Sequence, residues 1–143
     1  MKISTRGRYA LRAMIDLAEH HTGAYIPLRD VAGRQDISEK YLESILPALT
    51  KAGFVDGLRG KGGGYKLSHP AESYTVGSIL RLAEGSIAPV ACLDCSPNQC
   101  PRAAQCRTLP MWQRLNDTLN AFFDGITLAD LCREVESGGD FVI

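Results

Sequence analysis

Four glycines in the five residues Gly60-Lys61-Gly62-Gly63-Gly64 constrain this chain more than any other stretch. A helix does not run through such a segment, because glycine gives up more backbone freedom on ordering than any other residue. Apolar residues stand on both sides, Phe54-Val55 and Leu58 before the run and Tyr65 and Leu67 after it. Two short strands returning on a glycine turn are therefore predicted, with Arg59 and Lys61 at the tip. A slim cationic loop of this kind can approach a phosphate backbone or enter a minor groove, where the potential attracts cations. A nucleotide-phosphate loop is the competing reading. The run lacks the closing Lys-Ser/Thr pair and the spacing of a P-loop, which disfavours it. A merely flexible tip accounts for the glycines but not for the cations beside them.

The segment upstream reads as a helix over Ser38–Lys51. Ser38 can cap it by accepting a bond from a first-turn amide. Leu42, Ile45, Leu46 and Leu49 recur at helical spacing, and Gly53 follows where a stop is expected. That stripe uses one face; Lys40, Glu43, Ser44 and Lys51 occupy the other. An amphipathic helix with a solvated polar face is the bland reading, and a helix offered to the major groove is the sharp one. Pro47 lies inside the segment and predicts a bend, or a reading portion confined to Glu39–Leu46. Before it, Arg6–His20 reads as a helix with Tyr9, Ala10, Ala13, Met14, Leu17 and Ala18 inward. A short helix follows over Leu28–Gln35, with Val31 and Ala32 inward and Asp30 placed favourably for the helix dipole. Asp36-Ile37-Ser38 joins it tightly to the next, the helix-turn-helix arrangement.

Charge is balanced overall but unevenly spread. Residues 1–66 carry eleven Lys/Arg against seven Asp/Glu, and residues 67–143 five against nine. Lys2, Arg6, Arg8 and Arg12 crowd the first twelve positions without an acid. A basic half beside an acidic one suits a nucleic-acid-binding head on a differently employed body. The opening MKISTRGRY has no apolar run that would act as a secretory signal, and no stretch approaches a membrane span. The expectation is a soluble cytoplasmic chain without membrane contact, in which cysteines stay reduced.

That expectation sharpens the reading of the second half. Thr75 is placed to cap a helix over Val76–Glu84, with Val76, Ile79, Leu80 and Ala83 inward and Gly85 as its stop. Pro89–Pro110 is irregular and holds Cys92-x2-Cys95-x4-Cys100-x5-Cys106. Four thiols within fifteen residues are enough for an iron–sulfur cluster or a zinc ion. The spacing matches neither ferredoxin pattern nor paired zinc knuckles, so the residues leave open cluster, zinc and a disulfide-forming thiol switch. Unliganded cysteines are the bland alternative. From Met111 to about Asp124 a long helix is predicted, on which Trp112, Leu115, Leu119, Phe122 and Ile126 form a heptad-like seam. Thr127 and Asp130 suggest a capping pair for a last helix, Leu128–Glu136. Its Cys132 reads as a plain buried cysteine, and Ser137–Ile143 as a frayed tail. His20, His21 and His69 stand outside the cysteine loop and suit surface or capping roles. No nucleophile–base pair or nucleotide motif points to an enzyme.

The segments STRGRYALRAMIDLA, YIPLRDVAGRQDISEKYLESILPALTKAGFVDGLRGKGGGYKL and ITLADL closely resemble the BadM/IscR-type (Rrf family) winged-helix transcriptional regulators. The resemblance spans nearly the whole chain, and the run from Tyr41-Leu42-Glu43 to Gly64-Tyr65 is specific to that family. It implies a mainly α fold with a small β-hairpin wing, a winged helix-turn-helix plus a long dimerisation helix. The expected division is 1–85 for DNA binding, 86–110 for a cysteine-rich sensor loop and 111–143 for dimerisation and a C-terminal helix. It further implies a homodimer on roughly palindromic double-stranded promoter DNA, most simply as a repressor. Tyr41 and Glu43 match DNA-contacting positions of the reading helix, and Arg59 matches the wing arginine of the minor groove. Tyr9, Ser38, Lys40, Ser44 and Lys61 complete the candidate DNA-binding set. Trp112, Leu115, Leu119 and Phe122 are the candidate dimer contacts. Among the family's cluster-bearing regulators, three cysteines and a histidine hold a [2Fe–2S] cluster. Cys92, Cys100 and Cys106 match those cysteines, whereas Leu109 stands where the histidine is expected. The acid that a nitric-oxide-sensing branch supplies near its N-terminus is matched here by Arg8. Cys95 is then the candidate fourth ligand, with [2Fe–2S] favoured, [4Fe–4S] open and zinc the alternative.

Overall fold

The computed structural model describes residues 2–136; the tail Ser137–Ile143 lies outside the described residues. Eight elements longer than a turn follow one another: α1 (Thr5–Glu19), α2 (Leu28–Gln35), α3 (Glu39–Lys51), β1 (Val55–Leu58), β2 (Gly64–Leu67), α4 (Val76–Glu84), α5 (Leu109–Asp124) and α6 (Leu128–Glu136). Ser4 caps α1 by accepting from the Gly7 amide at 3.4 Å, so the helix opens one residue before the Arg6 expected from the sequence. Ser38 caps α3 by accepting from the Tyr41 amide at 3.0 Å. Thr127 and Asp130 cap α6 reciprocally: each accepts from the other's amide, at 3.0 and 2.9 Å.

The core gathers at the meeting of α1, α2, α3 and the hairpin. Met14 and Leu17 from α1, Val31 from α2, Leu42, Ile45, Leu46 and Leu49 from α3, and Val55 and Leu67 from the strands are all buried there. Leu128 of α6 reaches the same core and is fully buried. A smaller cluster of Val76, Leu80 and Ile87 joins α4 to Phe123, Ile126 and Leu131.

β1 and β2 pair antiparallel, with Val55 opposite Leu67 and Leu58 opposite Gly64. The hairpin docks on the segment before α2 through two bonds between Ile26 and Tyr65, 2.8 and 2.9 Å long. Gly64 is needed for that docking. Its φ is +152°, and a Cβ there would stand 2.1 Å from the Ile26 carbonyl oxygen.

Two expectations change. α3 runs unbroken through Pro47 to Lys51, rather than ending its useful length at Leu46. The ring sits on the exposed face, where its clash partner is the helix backbone alone and the buried leucine stripe on the far side holds the turns together. The seam on α5 is also not a core seam of this chain. Among the described residues none on α5 is fully buried, and Met111, Leu115 and Phe122 are exposed.

One feature of the core has no precedent in the sequence reading. Asp16 on α1 is the one buried charged side chain among the described residues. Its carboxylate accepts from Arg34 Nε and Nη2 at 3.0 and 2.7 Å and from Gln35 Nε2 at 3.0 Å. The bidentate fork locks α2 onto α1.

Candidate nucleic-acid interface and cysteine loop

α3 turns its leucine stripe inward, so Lys40, Glu43 and Ser44 are exposed on the opposite face, with Ser38 exposed at its start. Tyr41 is half-buried and meets the Tyr9 ring edge-on, centroids 5.4 Å apart. Arg12 lies 5.2 Å from the Tyr9 ring centroid. Tyr9 therefore supports α3 from α1 as well as showing part of its own surface. Ser44 Oγ donates to the Tyr41 carbonyl at 2.6 Å, and Arg6 donates to the Ser44 carbonyl at 3.1 Å. The first turn of α1 is thus fastened to the middle of α3.

Arg59 and Lys61 are exposed at the hairpin tip. Glu43, Arg59 and Arg29 line one open groove of about 380 Å³ between α3, the start of α2 and the wing. Arg29 escaped the sequence reading. Its side chain is 78% exposed at the opening of α2, and a lone cation in a first helical turn, where the dipole disfavours it, was the available signal.

The cysteine loop leaves the end of α4 and enters α5. Glu84 holds both the amide and the hydroxyl of Ser4, at 2.8 and 2.7 Å. Two residues on, Ser86 donates to Asp94 at 2.5 Å, tying down the stretch between Cys92 and Cys95. Cys92, Cys100 and Cys106 are half-buried and Cys95 is exposed. The Thr108 hydroxyl lies 3.4 Å from the Cys106 sulfur, and that contact draws the thiol below its ordinary range. Leu109 begins α5.

Soft thiolates in that number fit a thiophilic group, either a cluster or zinc. They are not gathered around a common point here: among the described residues no three His, Cys, Asp or Glu side chains come together as a metal-holding set. A second observation concerns Asn98. Its Oδ1 accepts the Cys100 amide at 2.8 Å, while its Nδ2 is sealed from solvent with no hydrogen-bond partner. A buried donor left unpaired costs about 1–3 kcal/mol, so it asks for an acceptor.

α5 leans on α4 through Arg81, which donates to Asn120 at 2.9 Å and to Asp124 at 2.6 Å. Trp112 and Leu119 are half-buried beside the exposed Met111, Leu115 and Phe122.

A helix-turn-helix with its second helix exposed, beside a basic two-stranded wing, is the architecture of a DNA-binding transcriptional regulator. The chain belongs to the Rrf2 family: a family model described as "Iron-dependent Transcriptional regulator" matches residues 3–134. It is similar to the protein rrf2 of Nitratidesulfovibrio vulgaris, 40% identical over 94% of this chain and 89% of that one. It is also similar to the HTH-type transcriptional regulator IscR of Vibrio campbellii, 36% identical over 95% and 80% of the two chains. Among solved structures, T. potens IscR superposes with a TM-score of 0.75 at 34% identity, covering 96% of this chain and 90% of the other. CymR, the global cysteine regulator of B. subtilis, gives 0.74 at 36%, covering 98% and 99%. These relatives are regulators and not enzymes, and this chain is a transcriptional regulator of the same family. Among the described residues, no helix is long and apolar enough to cross a membrane.

Proposed function

We propose that the chain works in the cytoplasm as a homodimeric repressor on double-stranded promoter DNA, with its affinity set by an iron–sulfur group on the cysteine loop. The groove shared by Glu43 and Arg59 carries the DNA-reading part. A carboxylate on α3 can accept from a cytosine amino group in the major groove. The wing arginine reaches the adjacent minor groove, and Lys61 neutralises phosphate. Lys40 and Ser44 share the exposed face of α3, Ser38 stands at its N-terminus, and Tyr41 is braced by Tyr9. The exposed stripe of α5 supports pairing with a second copy, Trp112, Leu115, Leu119 and Phe122 forming the contact.

Cys92, Cys95, Cys100 and Cys106 would hold the group, which when bound supplies a site responsive to oxidants and to iron supply. Two-iron and four-iron forms both accept four thiolates. Coupling to DNA needs only contacts within this chain. Asp94 grips Ser86 beside the end of α4, Glu84 grips Ser4, and Arg6 grips the Ser44 carbonyl on α3. A loop that changes shape thereby shifts the recognition helix, and both half-sites of a palindrome register the shift. A structural zinc or a thiol switch on the same cysteines is the second reading, favoured by the Thr108 contact that eases ionisation of Cys106.

One experiment divides these readings: anaerobic purification, visible absorption, and iron, sulfide and zinc analysis, followed by DNA binding of loaded and stripped protein. Iron with matching sulfide and a change of promoter affinity on stripping support the cluster reading. Zinc, or an unchanged affinity, removes it. Separately, Glu43→Ala is expected to relax discrimination at one base pair by about 1–3 kcal/mol, and Arg59→Ala to weaken binding and lower its salt dependence by about one charge. Unaltered promoter binding in both variants would sink the DNA assignment of the groove.

A further inference from the structure

The cluster reading accounts for the four thiols but not for the amide lying between them in sequence. Asn98 sits between Cys95 and Cys100, and its side chain is held in one orientation. The Cys100 amide donates to Oδ1 at 2.8 Å, so the acceptor end of the amide is fixed and Nδ2 must face the other way. Nδ2 is the only buried side-chain nitrogen or oxygen without a partner among the described residues. Everywhere else buried polarity is met: Asp16 by Arg34 and Gln35, and the Tyr74 hydroxyl by the Phe54 carbonyl and the His69 amide. A fold this thorough leaves a donor orphaned where its acceptor is not part of the polypeptide.

We infer that the Asn98 side-chain amide donates an N–H···S hydrogen bond to sulfur of the group held by the cysteine loop, and so sets its potential and its retention. The inference rests on the cluster reading above. The chemistry is specific. Thiolate and sulfide are acceptors, and they become better ones as the cluster gains an electron. A donor aimed at them favours the reduced form and raises the potential. A carboxylate or a water bound at the same place would not connect Asn98 to the redox state. Because the same side chain also shapes the Cys100 turn, the donor and the turn have to be separated experimentally.

Two variants do this in the full-length protein, reconstituted anaerobically with iron and sulfide. Asn98→Asp keeps an acceptor for the Cys100 amide and removes the donor; Asn98→Ala removes both without adding charge. Both are expected to take up iron and sulfide, to show a lower reduction potential than the unsubstituted protein, and to release iron to a chelator on the order of tenfold more readily. A lower potential in Asn98→Asp alone is an effect of charge and overturns the inference. Unchanged potentials and release rates in both variants overturn it as well. A measurement on the unsubstituted protein guards against variants that misfold. With the asparagine side-chain nitrogens labelled as ¹⁵N, pulsed EPR of the reduced protein should show one such nitrogen coupled to the cluster spin, and its absence overturns the inference. Should the unsubstituted protein take up zinc alone, or no metal, the cluster reading itself falls and this inference with it. A cluster whose properties ignore Asn98 removes only the inference.

Discussion

At the scale of single residues, the side chains that matter most for folding were the hardest to read in advance. Asp16 follows Ile15 and precedes Leu17, and it sits on the apolar stripe where periodicity calls for a hydrophobe. Only the three-dimensional arrival of Arg34 and Gln35, some eighteen residues on, makes a carboxylate tolerable there. Arg34→Met should therefore leave Asp16 buried with its strongest partner gone. The expected loss in urea unfolding is about 2–3 kcal/mol. It falls short of the loss for a fully buried pair because 35% of the Arg34 side chain meets water. A change below about 0.5 kcal/mol would mean that Gln35 suffices. Arg29 and Asn98 teach the same point from the opposite side. Each is an ordinary polar residue by sequence, and only a shared groove or a missing partner distinguishes it.

Elements were more legible than residues. The caps Ser38 and Thr75 and the pair Thr127 and Asp130 were predicted because capping depends on neighbours three residues away. The hairpin was legible because its glycines exclude alternatives. What the α5 pattern could not reveal was whether its seam faces inward or outward, since a heptad has the same spacing in either case. The exposed Met111, Leu115 and Phe122 answer that for the single chain. If this stripe joins two copies, Phe122→Glu should yield monomers by light scattering and weaken promoter binding severalfold, while the far-ultraviolet spectrum stays helical. A dimer that survives at micromolar concentration would place the interface elsewhere. The junctions of α5 and α6 also carry a pH signature. Hydrogen bonds and charge from Arg81 hold Asp124 below the usual carboxylate range, and the Thr127 amide and hydroxyl do the same for Asp130. A carboxyl more acidic in the folded state contributes stability above its unfolded pKa of about 4 and loses it as pH falls through the folded value. Thermal unfolding should accordingly weaken below about pH 4. The slope should flatten in an Asp124→Asn, Asp130→Asn double variant.

For the molecule as a whole, the sequence suggested a head, a loop and a tail in that order. The packing joins the first and the last. Leu128 is fully buried with Met14, Leu42 and Ile45; the Leu128 amide bonds the Tyr74 carbonyl at 2.9 Å, and the Val76 amide bonds the Ile126 carbonyl at 2.9 Å. Periodicity within a segment carries no information about which distant segment it will meet, so this closure was invisible until the fold was in hand. A chain cut after Gly125 should lose α6, expose the core side of α1, and unfold at markedly lower urea than the full chain. Equal midpoints would show that the closure is dispensable. The same closure has a temporal meaning. During synthesis the reading helix and wing emerge first, but the core beneath them is completed only when Leu128 arrives, after all four loop cysteines have been made. A half-made chain is therefore a poor competitor for the promoter, and every copy able to grip DNA well already carries its cysteine loop.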